Sequence, residues 1–164
     1  MTPLLAKGGA LGPALRGNLV DGLAGVIARY AYGRFTYNVA FARIPESQPF
    51  VPRLQCERLG RLTDDTHYGF EIRNTRTWTE SEALNARYRV TASPFQDLNW
   101  LRQLFAPTFV DWLAHSPPED FSFELAYGSL LCSIEEDDPG EPGLVALWRA
   151  SGAVADRIRA ESAE

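Results

Sequence analysis

Phe35-Thr36-Tyr37-Asn38-Val39-Ala40-Phe41-Ala42-Arg43 sets large apolar side chains against small or polar ones at every second position. A period of two over that length is the signature of a β-strand with one buried face. The stretch stops at Ile44-Pro45, since proline cannot donate to a ladder. Upstream, residues 26–32 read as a second strand, and Gly33 between the two suits the tight turn of a hairpin. Residues 17–23 read as a shorter strand, turned at Gly22 and Gly25. Downstream, residues 51–58 give a fourth strand with Leu54 and Cys56 facing in. Tyr68, Phe70 and Ile72 mark a fifth. Leu84, Ala86, Tyr88 and Val90 mark a sixth, with 74–77 as the turn between them.

Beyond residue 92 the period becomes about 3.6. Ser93-Pro94-Phe95-Gln96 has a Ser cap, Pro at the first helical position and Gln at the capping-box position. Leu98, Leu101, Leu104 and Phe105 then share one helical face. Ala106-Pro107 breaks this helix and starts another, carrying Phe109, Trp112 and Leu113. Ser116-Pro117-Pro118 ends it. Residues 121–126 and 130–134 alternate again and form a hairpin joined at Gly128-Ser129. Leu144, Leu147, Trp148, Val154, Ala155 and Ile158 mark a closing amphipathic helix, in which Ser151-Gly152 permits a close approach or a bend. Strands in runs, not alternating with helices, predict an α+β fold. The expectation is a mainly antiparallel, curved sheet of about eight strands. Two short helices lie between strands six and seven, and an amphipathic helix closes the chain. Residues 1–16, rich in Gly and Pro, read as a flexible arm, 17–160 as a single domain and 161–164 as a tail.

The 164 residues carry 16 basic and 21 acidic side chains, for a net charge of −5, which argues against a nucleic-acid binder relying on bulk attraction. The charge is uneven. Residues 1–82 hold 10 basic and 8 acidic side chains, residues 83–164 hold 6 and 13. Lys7 is the single lysine, and a bias to Arg, Ala, Gly and Pro suggests a GC-rich bacterial source. The Glu135-Glu136-Asp137-Asp138 run reads as a solvated turn rather than a cation loop, since no EF-hand spacing surrounds it. Two Cys are too few for a disulfide framework. Cys56 and Cys132 read as buried, reduced thiols, with a disulfide left open. No run of apolar residues is long enough to span a membrane, and the start lacks a basic n-region. A cytoplasmic setting is expected, with the membrane periphery as the alternative.

Glu80-Ser81, Leu84-Asn85-Ala86-Arg87-Tyr88-Arg89-Val90, Leu104-Phe105-Ala106-Pro107, Trp112-Leu113 and the pair Phe121–Glu124 with Leu130–Cys132 resemble a family of uncharacterised bacterial proteins, a domain of unknown function with some membrane-anchored members. Gly17-Asn18 and Gly25 resemble that family's opening glycines. The likeness runs over residues 17–160. Ala86 stands where the family has Arg, Leu84 where it has an aromatic, and Ser93-Pro94 where it has an acidic turn. The resemblance implies the fold and carries no activity.

Hydrolase chemistry needs a nucleophile, a base and an orienter. His67, after Asp64-Asp65-Thr66, is the one candidate base. His115 reads as a partner for a helix C-terminus. Asp64-Asp65 and Glu80-x-Glu82 read as surface charge, and no phosphate loop or dinucleotide fingerprint is present. Trp112 and Trp148 fit helical stripes and belong to the core. Trp78 lies in a Thr-rich turn beside Arg73 and Arg76. Arg29, Arg73, Arg76 and Trp78 are therefore the candidate interaction surface, with capping of the sheet edge as the plain role for Trp78. Arg29, Arg53, Arg73 and, if it keeps the same register, Arg43 share an outward face, with Tyr30, Tyr32 and Tyr37 suited to stacking on nucleobases. But outward Arg is also the ordinary solvated residue of a half-exposed sheet, and nucleic acid is not the expected partner. The expectation is a non-catalytic module that binds a protein partner or a second copy, needing no cofactor or metal. The alternatives are a small-ligand or lipid-binding domain of pleckstrin-homology-like build and an enzyme using His67.

Overall fold

Two tight turns set the hairpins from which the sheet is built. Asp21-Gly22 joins β1 (Ala10–Val20) to β2 (Leu23–Tyr32), with Gly22 at φ 70°, where glycine has no Cβ to clash. Tyr127-Gly128 joins β7 (Ser122–Ala126) to β8 (Ser129–Ile134), with φ 50° and 69°. Positive φ at both central residues is the turn whose twist matches the strands it joins. The computed structural model describes residues 9–32, 35–59, 75–77, 81–135 and 139–163.

Between those hairpins run β3 (Phe35–Arg43), β4 (Arg53–Arg58), β5 (Thr75–Thr77), α1 (Glu82–Arg87), β6 (Tyr88–Ala92), α2 (Leu98–Leu104) and α3 (Pro107–His115), and α4 (Gly140–Ser162) closes the chain. The strands form one open antiparallel sheet in the order β1-β2-β3-β8-β7-β4-β6-β5. The α+β class, the eight strands and the closing helix agree with the sequence reading. The register sets one row across the sheet: Leu15, Ile27, Ala40, Cys132, Phe123, Cys56 and Val90. Its members from Ile27 onward belong to the main core. α4 lies on this face, with Leu147, Val154, Ala155 and Ile158 fully buried on one stripe. Burial of Leu147, Val154 and Ile158 contributes about 1.5–3 kcal/mol each. Ser151, in the same stripe, satisfies its buried hydroxyl by donating to the Leu147 carbonyl.

Small residues let α4 come close. Gly17 and Gly25 face each other across β1 and β2, and the Trp148 indole lies on both. A Cβ at Gly25 would stand 2.9 Å from that ring, and one at Gly152 would stand 3.1 Å from the Leu19 carbonyl oxygen. The Ser151-Gly152 break thus serves close packing.

Local signals decided several departures from the expected elements. β1 begins at Ala10, so residues 10–16 are strand, not arm. Gly and Pro there hid the strand, and pairing to β2 supplies what local pattern lacks. Residues 82–87 form α1, not the first part of a strand. Ser81 Oγ accepts from the Leu84 amide, Glu82 suits the first turn, and the segment is made of good helix formers. Leu84 is fully buried all the same. The helix expected to start at Ser93 starts at Leu98, because Asp97 accepts from the Asn99 and Trp100 amides at 2.8 and 2.9 Å. The Gln96 side chain is spent on the Phe50 carbonyl, 2.7 Å away. Residues 75–77, expected as a turn, form β5 at the sheet edge. The strand expected at Tyr68–Ile72 lies outside the described residues.

Arginines close the helix ends. Arg87 donates to the Ala114 carbonyl near the end of α3, and Arg157 donates to the Gln103 and Leu104 carbonyls at the end of α2. Both satisfy C-terminal carbonyls that have no partner within their helix.

Candidate functional site

Where β1, β2 and β3 pass the start of α4, the sheet leaves a half-open cavity of about 220 Å³. Pro13 and Leu15 of β1 form one wall and Ile27 the floor, while Leu144 and Pro139 form the α4 side. Arg29 and Asn38, cross-strand partners, supply the polar end. Drug-sized ligands occupy roughly 300 Å³ or more. This space fits one side chain or a small fragment.

The strand beside the cavity is itself open. Ala10 to Asn18 are exposed along β1, and Leu11 and Leu15 are 54% and 69% exposed. β1 is an outer strand of the sheet, so the backbone groups on its far side have no strand partner among the described residues. Arg29 is exposed, and neither Arg16 nor Arg29 forms an ion pair with another described residue.

Of the four residues expected to form an interaction surface, the two that are described stand far apart. Arg29 lies on β2 and Arg76 on β5, six strand steps apart, or about 29 Å on a flat sheet. Arg73 and Trp78 lie outside the described residues. The expected common face for the arginines is also corrected. Arg29 shares the α4 face with Ile27, whereas Arg43 and Arg53 share the opposite face, on a row through Ser129 and Ala126. Position along each strand could not reveal this, because a one-residue change of register moves a whole strand's side chains to the other face. Tyr30 and Tyr37 are buried with Ala28, Val39 and Leu131 in a second cluster, their rings 6.4 Å apart, and are not free to stack on bases.

Arg53 is 2% exposed and holds Glu124 at 3.2 Å, itself 2% exposed. Burial pushes the Glu124 carboxyl up to about 7, against the pull of Arg53 and with a smaller push from Glu57. A carboxyl poised near neutrality is a usual sign of acid–base chemistry, but this one is sealed inside the sheet.

The thiols are sealed as well. Cys56 and Cys132 stand on either side of Phe123, two strand steps apart. That is about 10 Å, beyond the roughly 4.4–6.8 Å a disulfide spans. Burial raises both thiols, Cys132 to about 12, so they stay protonated and unreactive. His115 is at the exposed end of α3, as expected, with Nδ1 3.0 Å from the Asp111 carbonyl and 3.3 Å from its carboxylate. His67 lies outside the described residues. Trp112 packs at 5.6 Å on Phe109 and edge-on to Phe121, and Trp148 packs on the glycines, so both serve the core as expected.

Among the described residues no group of three His, Cys, Asp or Glu is placed to hold a metal ion, and no helix is long and apolar enough to cross a membrane. Sequence reasoning found Arg29 and missed both the open edge and the cavity. The usable signal was Leu11 and Leu15 in a segment with Arg16 as its one charge. Comparison with known proteins gave no match to any family model, curated protein or solved structure.

Proposed function

We propose that the protein is a non-catalytic binding module that engages a protein partner along the β1 side of its sheet. One observation carries this reading: a nine-residue exposed stretch of an outer strand borders a cavity edged by Arg29. Native sheets usually blunt such edges with charge or cover them. Here Arg16 is the single charge on the strand, and Pro13 and the two irregularities, which also blunt edges, leave the run from Ala14 to Asn18 regular between them. The described nucleophiles support the same reading, because both thiols are held protonated in the core and His115 is turned onto its own helix. The module reading includes a bacterial, cytoplasmic setting and kinship with the uncharacterised family that residues 80–134 resemble.

The cavity also favours a second reading, a small-ligand domain taking a compact acid against Arg29. The filled seam between sheet and α4 supports the partner reading over a lipid chamber there.

The test is affinity capture from the source organism with wild-type and Leu15→Lys baits, both confirmed folded by circular dichroism. A protein retained by wild type and lost by the variant supports the module. Equal retention by both baits, or none by either, counts against it.

A further inference from the structure

β1 offers more than exposure, and what it offers selects a partner. From Ala14 to Asn18 it pairs with β2 in unbroken register, between irregularities at Leu11/Ala14 and Asn18/Val20. Along such a run alternate residues turn their N–H and C=O toward β2, and the residues between them turn theirs to the open side. Such an edge accepts an extended segment as an added strand: the main chain supplies affinity and alternate side chains supply specificity.

Resting on the binding-module reading, we propose that the occupant is an extended acidic peptide segment of a partner. It adds to β1, places one aliphatic side chain against Leu15 at the cavity, and presents Asp or Glu at neighbouring positions to Arg29 and Arg16. Side chains of an added strand alternate between faces. Those next to Leu15 fall on the α4 face, where the cavity of about 220 Å³ has room for one of them. Two residues along on the same face the chain passes Gly12 and Pro13. There Gly12 lies against Arg29, with 3.5 Å from the place of a Cβ to that residue, and the compact Pro13 ring is the β1 side chain that shares the cavity with it at this point. Arg16 projects from the other face, since Arg16 pairs with Val26 while Leu15 pairs with Ile27.

Charge decides between a foreign peptide and a second copy. β1 contains no Asp or Glu. Two copies paired antiparallel about Leu15 would set their Arg16 side chains diagonally on one face, about 7–8 Å apart. Like charges at that spacing repel, and neither Arg29 would gain a carboxylate. An acidic segment neutralises both arginines.

The test uses a phage-displayed library of random twelve-residue peptides selected on the full-length protein. Enriched sequences are then made as labelled synthetic peptides and titrated by fluorescence anisotropy. The expected consensus is an aliphatic residue with one Asp or Glu two positions away, on its own face for Arg29, and another at an adjacent position, on the opposite face for Arg16. Affinity should fall at least tenfold with Arg29→Glu and with Leu15→Lys, and be lost when alternate peptide amides are N-methylated. Arg16→Glu should weaken binding less. Basic or helical consensus peptides, or peptides bound equally by wild type and both variants, overturn the inference. A concentration-dependent dimer in sedimentation that Leu15→Lys dissolves also overturns it, making the edge a self-interface and leaving the module reading standing. Capture of no Leu15-dependent partner of any kind, peptide or protein, overturns both.

Discussion

The two ends of this sheet treat the same structural element in opposite ways. In β7 and β8 every side chain is buried, including Glu124 and three serines, and in β4 so are Arg53, Leu54 and Cys56. In β1 nine consecutive residues are exposed. The centre is packed into the main core on the α4 face, and on the other face β8 joins a second cluster through Leu131 while β4 and β7 bury the Arg53–Glu124 pair. The β1 end is held by one neighbouring strand and by Trp148 lying on two glycines. The contrast separates stability from recognition: the interior carries the folding energy, and the edge is free to vary or to bind.

The largest effect belongs to the centre. Leu125, fully buried on β7, should cost about 2–5 kcal/mol when cut to alanine. The same change at Leu15 should stay within about 0.5 kcal/mol. Urea midpoints of the two variants check this, and comparable losses would break the division.

Glu124 sharpens the comparison through pH. Its folded carboxyl sits near 7, above its ordinary value of 4.5, so the folded state holds a proton the unfolded chain releases. The resulting stability is fully present below about pH 4.5 and is lost as pH rises through about 7. It amounts to about 3 kcal/mol. Glu124→Gln should flatten that decline between pH 5 and 8, measured as unfolding free energy against pH. A steep decline left intact in the variant would place its origin elsewhere.

At the seam between the regions, Gly25→Ala should cost about 1–3 kcal/mol by pressing a methyl onto Trp148. Gly17→Ala, with 3.5 Å to the same ring, should be near neutral. Combining Gly25→Ala with Trp148→Leu should recover part of the loss in a double-mutant cycle. Smallest of all, Leu15→Lys should leave the thermal midpoint within a few degrees while removing binding.

Much of this fold was legible in chain order because burial leaves a period. The alternation at 35–43 and the stripe from Leu147 to Ile158 each name their own buried face. Where two local signals competed, the pattern misled. Leu84, Ala86, Tyr88 and Val90 alternate like a strand, yet Ser81 capping and helical propensity take the first half into α1. Asp97 out-competes Ser93 as a cap because it stands where the free amides are. The candidate surface suffered most, since faces depend on register and register on the partner strand.

Chain order was enough to name the class of fold, the core strands and the closing helix. Those follow from hydrophobic periodicity, which is local. The tertiary structure alone decided that β1 is an outer strand, that Arg29 and Arg53 point to opposite faces, and that Gly25 must be glycine. Each depends on which strands lie side by side, and that is a property of pairing between distant segments.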